Sequence, residues 1–222
     1  MTDHVLTLNA GSSSVKFALY PAARPEGAPR LSGIADGLGS RARLRVQGAG
    51  GAVLADGVLA GQGGAGASHD DALRATLGLL GEHAPDVRVA AVGHRIVHGG
   101  VEFDHPVAID DAVLARLAAL ETLAPLHQPH NLEGVRAARH AFPGVPQVAC
   151  FDTAFHRAQP ELNQRFALPR ALHDEGVRRY GFHGISYESI CAQLAARGLL
   201  AGRVVAAHLG HGASICAIRD GR

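Results

Sequence analysis

The chain has 222 residues, 47% of them hydrophobic and 18% charged, a balance that suits a folded protein with a sizeable core and excludes a disordered one. Its 21 Lys and Arg stand against 20 Asp and Glu, a formal net charge of +1, so composition gives no electrostatic case for a nucleic-acid or membrane-surface partner. Cys150, Cys191 and Cys216 form no C-x-x-C pair, and an odd count fits poorly with a disulfide framework. The N-terminus "MTDHVLTLNAG" has neither a basic leader nor a cleavable apolar run, and no apolar stretch approaches membrane-spanning length. A reducing, cytoplasmic setting is therefore expected.

In chain order, "HVLTLN" and "VKFALY" read as two short strands, since Val15, Phe17 and Leu19 alternate with Lys16 and Ala18. A four-residue Gly/Ser link, "GSSS", makes them a hairpin. Residues 21–66 are rich in Gly, Ala and Pro, with strand-like pieces at "RARLRV" and "AVLADGVL" and a loop at "GQGGAGAS". The alternating Arg41, Arg43 and Arg45 read as the solvated face of a strand. Ser68 and Asp71 stand at capping-box spacing before a helix with Leu73, Leu77 and Leu80 on one face. "VRVAAVGHRIVHGG" is a strand running into a Gly-rich turn. A helix starts near Asp110, "LAPLHQPHN" breaks the pattern with two prolines, and a further helix carries Leu132, Val135, Ala138 and Phe142 until Pro143-Gly144 stops it. "VPQVACFDTAFH" is a strand that ends in Asp152. "YGFHGIS" is a loop, with Ser186 as cap of a helix that Gly198 ends. "RVVAAHLGHGASICAIRDG" is strand, Gly-rich turn, strand. The fold class is α/β. The final segment repeats the layout of the first, which suggests a duplicated unit that has begun its second copy.

The opening turn is the first candidate for chemistry. A Gly/Ser turn can aim several backbone N–H groups at one anion, serine hydroxyls add donors, and Lys16 adds charge. It is not a P-loop, because there is no G-K-[ST] and a strand follows. An ordinary hairpin with small polar residues at its tip is the competing reading. Arg95 stands at the end of a strand beside Gly99 and Gly100, where a guanidinium can grip a carboxylate or phosphate with two prongs. Asp152 directly follows an apolar strand, where ligands of open α/β sheets gather. His183 lies between glycines, and "HLGHGAS" offers a second anion-cradling turn. The 14 histidines, with His94 and His98 four apart and His127 and His130 three apart, raise a metal-hydrolase alternative, but there is no H-E-x-x-H.

Six strings in order, "NAGSSSVKF", "GHRIVHGG", "LAPLHQPHN", "FDTAFH", "YGFHGIS" and "HLGHGAS", resemble the acetate kinase family from end to end of the chain. The resemblance implies a ribonuclease H-like, actin-type ATPase fold of two lobes, shared with sugar kinases and heat-shock chaperones, each lobe built on a strand–turn–strand phosphate loop. Residues 1–152 would form a nearly complete first lobe and 153–222 the start of a second, truncated one. The implied reaction is reversible transfer of the γ-phosphoryl group of ATP to acetate, giving acetyl phosphate and ADP. By resemblance, Ser12, Ser14 and Lys16, with His208, Leu209, Gly210, His211 and Gly212, contact ATP, and Asn9 helps hold Mg²⁺. Arg95 binds acetate or the moving phosphoryl group, His127 is a further phosphate contact, His183 donates to the transition state, and Asp152 orients acetate or helps place Mg²⁺. The implied assembly is a homodimer.

Two departures stand out. The family motif has asparagine where this chain has His211, which is larger and can change charge near neutral pH. Family members also continue beyond this point, with another transition-state arginine, the adenosine pocket and a metal-holding glutamate. The 222-residue chain is thus expected to be impaired as a kinase, or to be completed by a complementing C-terminal chain. Propionate or butyrate kinase activity and a non-catalytic phosphate-binding role are the alternatives.

Overall fold

The computed structural model describes residues 1–61, 66–210 and 212–221. Two compact units divide the chain: Met1–Ile96 with Val107–Ala149, and Val97–Pro106 with Cys150–Arg222.

The first unit is built on an eight-stranded sheet. Its strands are β1 (Thr2–Ala10), β2 (Ser14–Pro21), β3 (Leu31–Asp36), β4 (Arg43–Gly48), β5 (Val53–Val58), β6 (Val87–Ile96), β7 (Val107–Ala108) and β8 (Gln147–Phe151), in the order β5-β4-β3-β2-β1-β6-β8-β7. The run from β1 to β5 is an antiparallel meander, whereas β6 lies parallel to β1. Among the described residues its α-helices are α1 (His69–His83), α2 (Asp111–Ala119) and α3 (Gln128–Ala141).

Strand alternation sorts the central strands into two faces. Leu6, Leu8, Ala10, Val15, Phe17 and Leu19 turn to one side and are buried with Leu73 and Leu80 of α1 and Ala137 and Ala138 of α3. Because Asn9 pairs with Lys16 across β1 and β2, these two polar residues share the opposite face. The arginine ladder behaves as read: Arg41, Arg43 and Arg45 are exposed while Ala42, Leu44 and Val46 are buried.

Ser68 caps α1 with the full reciprocal box to Asp71, and Asp110 caps α2 by accepting the Val113 N–H at 2.7 Å. Three expectations for this unit need correction. The link between β1 and β2 has three residues, Gly11 to Ser13, because the Gly11 N–H reaches the Ser14 carbonyl at 2.7 Å and starts the pairing one residue early. α3 begins inside "LAPLHQPHN", at Gln128. Pro129 sits in its first turn, where the helix has no use for the missing N–H, so that proline initiates the helix rather than interrupting it. Finally, β3 lies within the Gly/Ala/Pro-rich stretch. Gly33 is what admits it, since a Cβ there would stand 2.5 Å from the Phe17 ring and 2.6 Å from the Arg45 carbonyl.

His94, on β6, is buried, and its Nε2–H donates to Gln147 Oε1 at 2.7 Å. Burial holds its pKa below the usual imidazole range, opposed in part by that hydrogen bond. The unfolded chain accepts a proton near pH 6.5 that the buried ring resists. Stability is therefore retained above about pH 6.5 and lost as the pH falls toward the depressed value, by up to about 1.4 kcal/mol per pH unit. Urea unfolding from pH 7 to 5 should show this decline, and His94→Gln should flatten it. An equal slope in the variant would mean that His94 takes up its proton without unfolding.

The second unit contains α4 (Arg170–Asp174), α5 (Gly184–Ala196), and an antiparallel pair, β9 (Arg203–His208) and β10 (Ser214–Arg219). Tyr187 and Cys191 of α5 pack on Ala206, Cys216 and Ile218 from one face of that pair. Val205 and Ile215, on the other face, are 74% and 73% exposed. The hairpin layout of β1–β2 thus recurs at β9–β10, as the internal repeat suggested. Ser186 is not the cap of α5. The helix starts three residues earlier than that cap implies, at Gly184, with His183 as N-cap at φ 60°.

Candidate functional site

In the first unit the chemistry gathers where β1 ends. Arg95 Nη1 donates to Asn9 Oδ1 at 3.1 Å, and Lys16 is the cross-strand neighbour of Asn9 on the other side. A neutral carboxamide is thus flanked by two cationic side chains on one sheet face. Lys16 is exposed and makes no ion pair among the described residues. Ser12 and Ser13 are exposed at the turn itself, and Ser14 opens β2.

The turn is anchored from below by residues that no short motif singles out. Asn131 Nδ2 donates to the Ala10 carbonyl at 2.6 Å, and His69 Nε2 to the Gly11 carbonyl at 2.8 Å. Gly134 lets α3 come this close, because a Cβ on it would stand 2.7 Å from that of Ala10. Asn131 lies within the string "PLHQPHN", in which the family resemblance points to His127 instead. His127 is exposed at the N-cap of α3, and no hydrogen bond among the described residues ties its ring to the turn.

In the second unit, Asp152 follows β8 directly and is buried, with its carbonyl accepting the Gly184 N–H at 2.8 Å. This bond brings the start of α5, and hence His183, beside the end of the strand. The His183 ring stacks on His208 with centroids 4.1 Å apart, and its Nδ1 lies 2.8 Å from Ser214 Oγ. Ser214 also meets the Tyr187 hydroxyl, and His208 Nδ1 meets Ser186 Oγ at 3.1 Å. Gly212 lies beside the His183 ring. Asp152, His183, His208 and Gly212 are thus grouped around the first turn of α5, with Leu209 76% exposed next to them. His211 falls outside the described residues.

Nδ1 of His183 is the ring nitrogen that meets Ser214, and a hydroxyl donating to Nδ1 would make Nε2 the donor of the neutral ring. No local sequence pattern marks Ser214 or Tyr187, because they meet His183 only after β10 has folded back onto α5. Burial pushes all three cysteine thiols up, with Glu188 adding to the effect at Cys150 and Cys191, so none is an activated nucleophile. His94 is engaged by Gln147, and His98 accepts the Gly100 N–H at 2.8 Å and packs edge-on to Tyr180. Neither reads as a metal ligand. A cavity of about 880 Å³ in this unit, with His156, Tyr180, Arg203 and Ile215 in its wall, reaches Ser214 and Tyr187 but is not lined by Asp152, His183 or His208.

A sequence profile of the acetokinase family matches residues 4–222. The chain belongs to the acetokinase family. It is 50% identical to the acetate kinase of Methylocella silvestris, covering 100% of this chain and 56% of that protein. The acetate kinase of Rhodopseudomonas palustris is 49% identical, with 98% and 55% covered. Among solved structures, Porphyromonas gingivalis acetate kinase superposes with a TM-score of 0.84 at 37% identity, and a propionate kinase from Francisella tularensis with 0.86 at 34%. Each match covers 99% of this chain and 56% of the solved one. This acetokinase-family chain therefore spans about half the length of the relatives it matches, and it shares their mixed α/β, actin-type fold. Among the described residues no helix is long and apolar enough to cross a membrane.

Proposed function

We propose that this chain carries the phosphate-turn portion of an acetate kinase, which transfers the γ-phosphoryl group of ATP reversibly to acetate, giving acetyl phosphate and ADP. The observation that carries the reading is the row Lys16–Asn9–Arg95 beside a Gly-Ser-Ser turn anchored by Asn131 and His69. Acetate and a triphosphate repel one another, so catalysis needs cations and aligned donors to hold both and to stabilise the spreading charge. Lys16 and the turn, with Ser12 and Ser14, would take phosphate oxygens. Arg95 would hold acetate or the moving phosphoryl group, and His127 would add a phosphate contact. His183 would donate through Nε2 to the developing charge, and the segment from His208 to Gly212 would lie along the nucleotide phosphates. A carboxylic acid with an ordinary pKa, near 4, is ionised at neutral pH, so acetate needs no base. Asp152 would position substrate.

Asn9 Oδ1 has a second lone pair besides the one that accepts from Arg95, and so fits Mg²⁺ as one oxygen ligand among those of ATP's phosphates. The ion would neutralise phosphate charge when bound. The proposed setting is cytoplasmic and the proposed assembly a homodimer, with a complementing C-terminal chain where the remaining half is supplied separately.

The share of the relatives' length that is covered supports a further part of the reading: the 222-residue polypeptide binds acetyl phosphate but turns it over poorly. Calorimetry with acetyl phosphate, ATP and ADP, alongside hydroxylamine trapping of acetyl phosphate, tests both parts. Binding with little turnover is the expected result. Turnover matching a relative of full length would overturn the impairment, and absence of binding to all three would overturn the assignment. The match to a propionate kinase supports a second reading, in which a longer acid is the substrate. One methylene alters pocket affinity modestly, so comparing acetate, propionate and butyrate decides between them.

A further inference from the structure

We propose that His69, His130 and Glu133 form a divalent transition-metal site, best suited to Zn²⁺, which clamps the root of the Gly-Ser-Ser turn. His69 is the first residue of α1, and His130 and Glu133 stand one turn apart on α3. One potential ligand atom from each lies within 4.8 Å of the others.

The spacing of the three side chains and the hydrogen bond that orients His69 carry the argument. A backbone carbonyl can only accept, so the contact of His69 Nε2 with the Gly11 carbonyl at 2.8 Å makes Nε2 the N–H of that ring. In the neutral ring Nδ1 then bears the lone pair, and it faces Glu133 Oε2 at 3.4 Å. Two acceptors confront each other, and a cation between them turns repulsion into attraction. His130 Nδ1–H donates to the same carboxylate oxygen at 3.1 Å, and a metal would take the place of that proton; the ring stacks on His69 at 5.7 Å.

The distances suit coordination. Ligands about 2.0–2.1 Å from a tetrahedral ion stand about 3.3 Å from one another, close to both contacts here. Two imidazoles and a carboxylate are a borderline donor set that favours Zn²⁺ over Mg²⁺ or Ca²⁺. Three protein ligands leave a fourth position for water, and the site has an entry path: it borders a groove of about 420 Å³ that also contains Ser68, Arg136 and His140. Arg136 lines the same groove as Glu133, but no ion pair joins the two among the described residues.

The far side of His69 completes the arrangement. A metal-bound imidazole characteristically donates its other N–H to a carbonyl or carboxylate, which orients the ring. Here the acceptor is Gly11, the first residue of the turn. Metal on Nδ1 polarises the ring, strengthens the Nε2–H bond to Gly11, and ties α1, α3 and the turn into one rigid piece.

The test uses the untagged 222-residue chain, stripped of metal by chelator and titrated at pH 7.5 with Co²⁺ as a visible probe and with Zn²⁺ against a competing indicator. One equivalent should bind, with the intense visible bands of tetrahedral Co²⁺. His130→Ala and Glu133→Gln should each weaken binding at least tenfold, while His105→Ala, which removes an exposed histidine elsewhere, should leave it unchanged. Zn²⁺ should raise the thermal midpoint of the parent chain and not that of folded His130→Ala. Failure to bind Co²⁺ or Zn²⁺, or binding indifferent to both substitutions, overturns the site. These readouts require neither ATP nor acetate, so they stand apart from the kinase reading.

Discussion

Arg95→Ala should weaken acetyl phosphate binding by about 10- to 100-fold. A hydrogen bond from a charged donor to an anion contributes roughly 1.5–3 kcal/mol, and each 1.4 kcal/mol is a factor of ten. Arg95 is half-buried and held in place by Asn9, with Lys16 on the far side of that asparagine, so its charge is less screened than that of a surface arginine. Arg95→Lys should recover only part of the loss, because an ammonium keeps the charge but not the two-pronged geometry. Arg45→Ala, on the exposed arginine ladder of β4, should bind as the parent does. Calorimetry across this set, with thermal unfolding to confirm that each variant is folded, checks the assignment. Equal affinity in Arg95→Ala and the parent would remove Arg95 from the site.

Gly184→Ala should destabilise the second unit by about 3 kcal/mol or more. The added Cβ would stand 2.4 Å from the Asp152 carbonyl oxygen and 2.9 Å from the Phe155 Cβ. The first of these is backbone and cannot swing away as a long side chain can. Relieving the clash means pulling the start of α5 off Asp152 and breaking the 2.8 Å hydrogen bond between them, so overpacking and a lost bond add. Two units need not unfold together, and a single midpoint would hide a local effect. Hydrogen exchange resolved by segment is the proper measurement: protection should fall in α5 and β9–β10 and persist in β1–β2. Gly78→Ala is the matched control. It adds the same methyl to a glycine inside α1 with nothing within 4 Å, and should be neutral or stabilise by up to about 1 kcal/mol. Unchanged protection in α5 of Gly184→Ala would show that the contact with Asp152 is not what seats His183.

Local sequence signals succeed wherever the deciding interaction spans a few residues. The period-two run Val15-Lys16-Phe17-Ala18-Leu19 forms β2 with its apolar members inward, and Ser68 and Asp110 are caps. The failures share a cause. Pro129 looks like a break because proline disrupts helix interiors, yet its effect reverses in the first turn. β3 escapes notice because its glycine weakens strand propensity, while what requires that glycine is the Phe17 ring on the neighbouring strand. Ser186 suits a cap by residue type, but the hydrogen bond of Gly184 to Asp152, 32 residues earlier in the chain, sets the helix start.

The candidate site divides in the same way. Asn9, Lys16 and Arg95 in the first unit, and Asp152 and His183 in the second, are candidates on the sequence alone, because short motifs specify which chemical groups stand at strand ends and in Gly-rich turns. Their supports are not: Asn131 reaches Ala10 across 121 positions, His69 reaches Gly11 across 58, and Ser214 reaches His183 across 31. Local patterns report periodicity and turn chemistry, whereas the pairing of distant polar groups depends on which helix faces pack onto the sheet. Family membership, the order of the strands near the termini and the two hairpins are therefore properties of the amino-acid order itself. The anchoring of the turn, the left-handed start of α5 and the meeting of His69, His130 and Glu133 arise only when burial of the apolar faces brings those segments together.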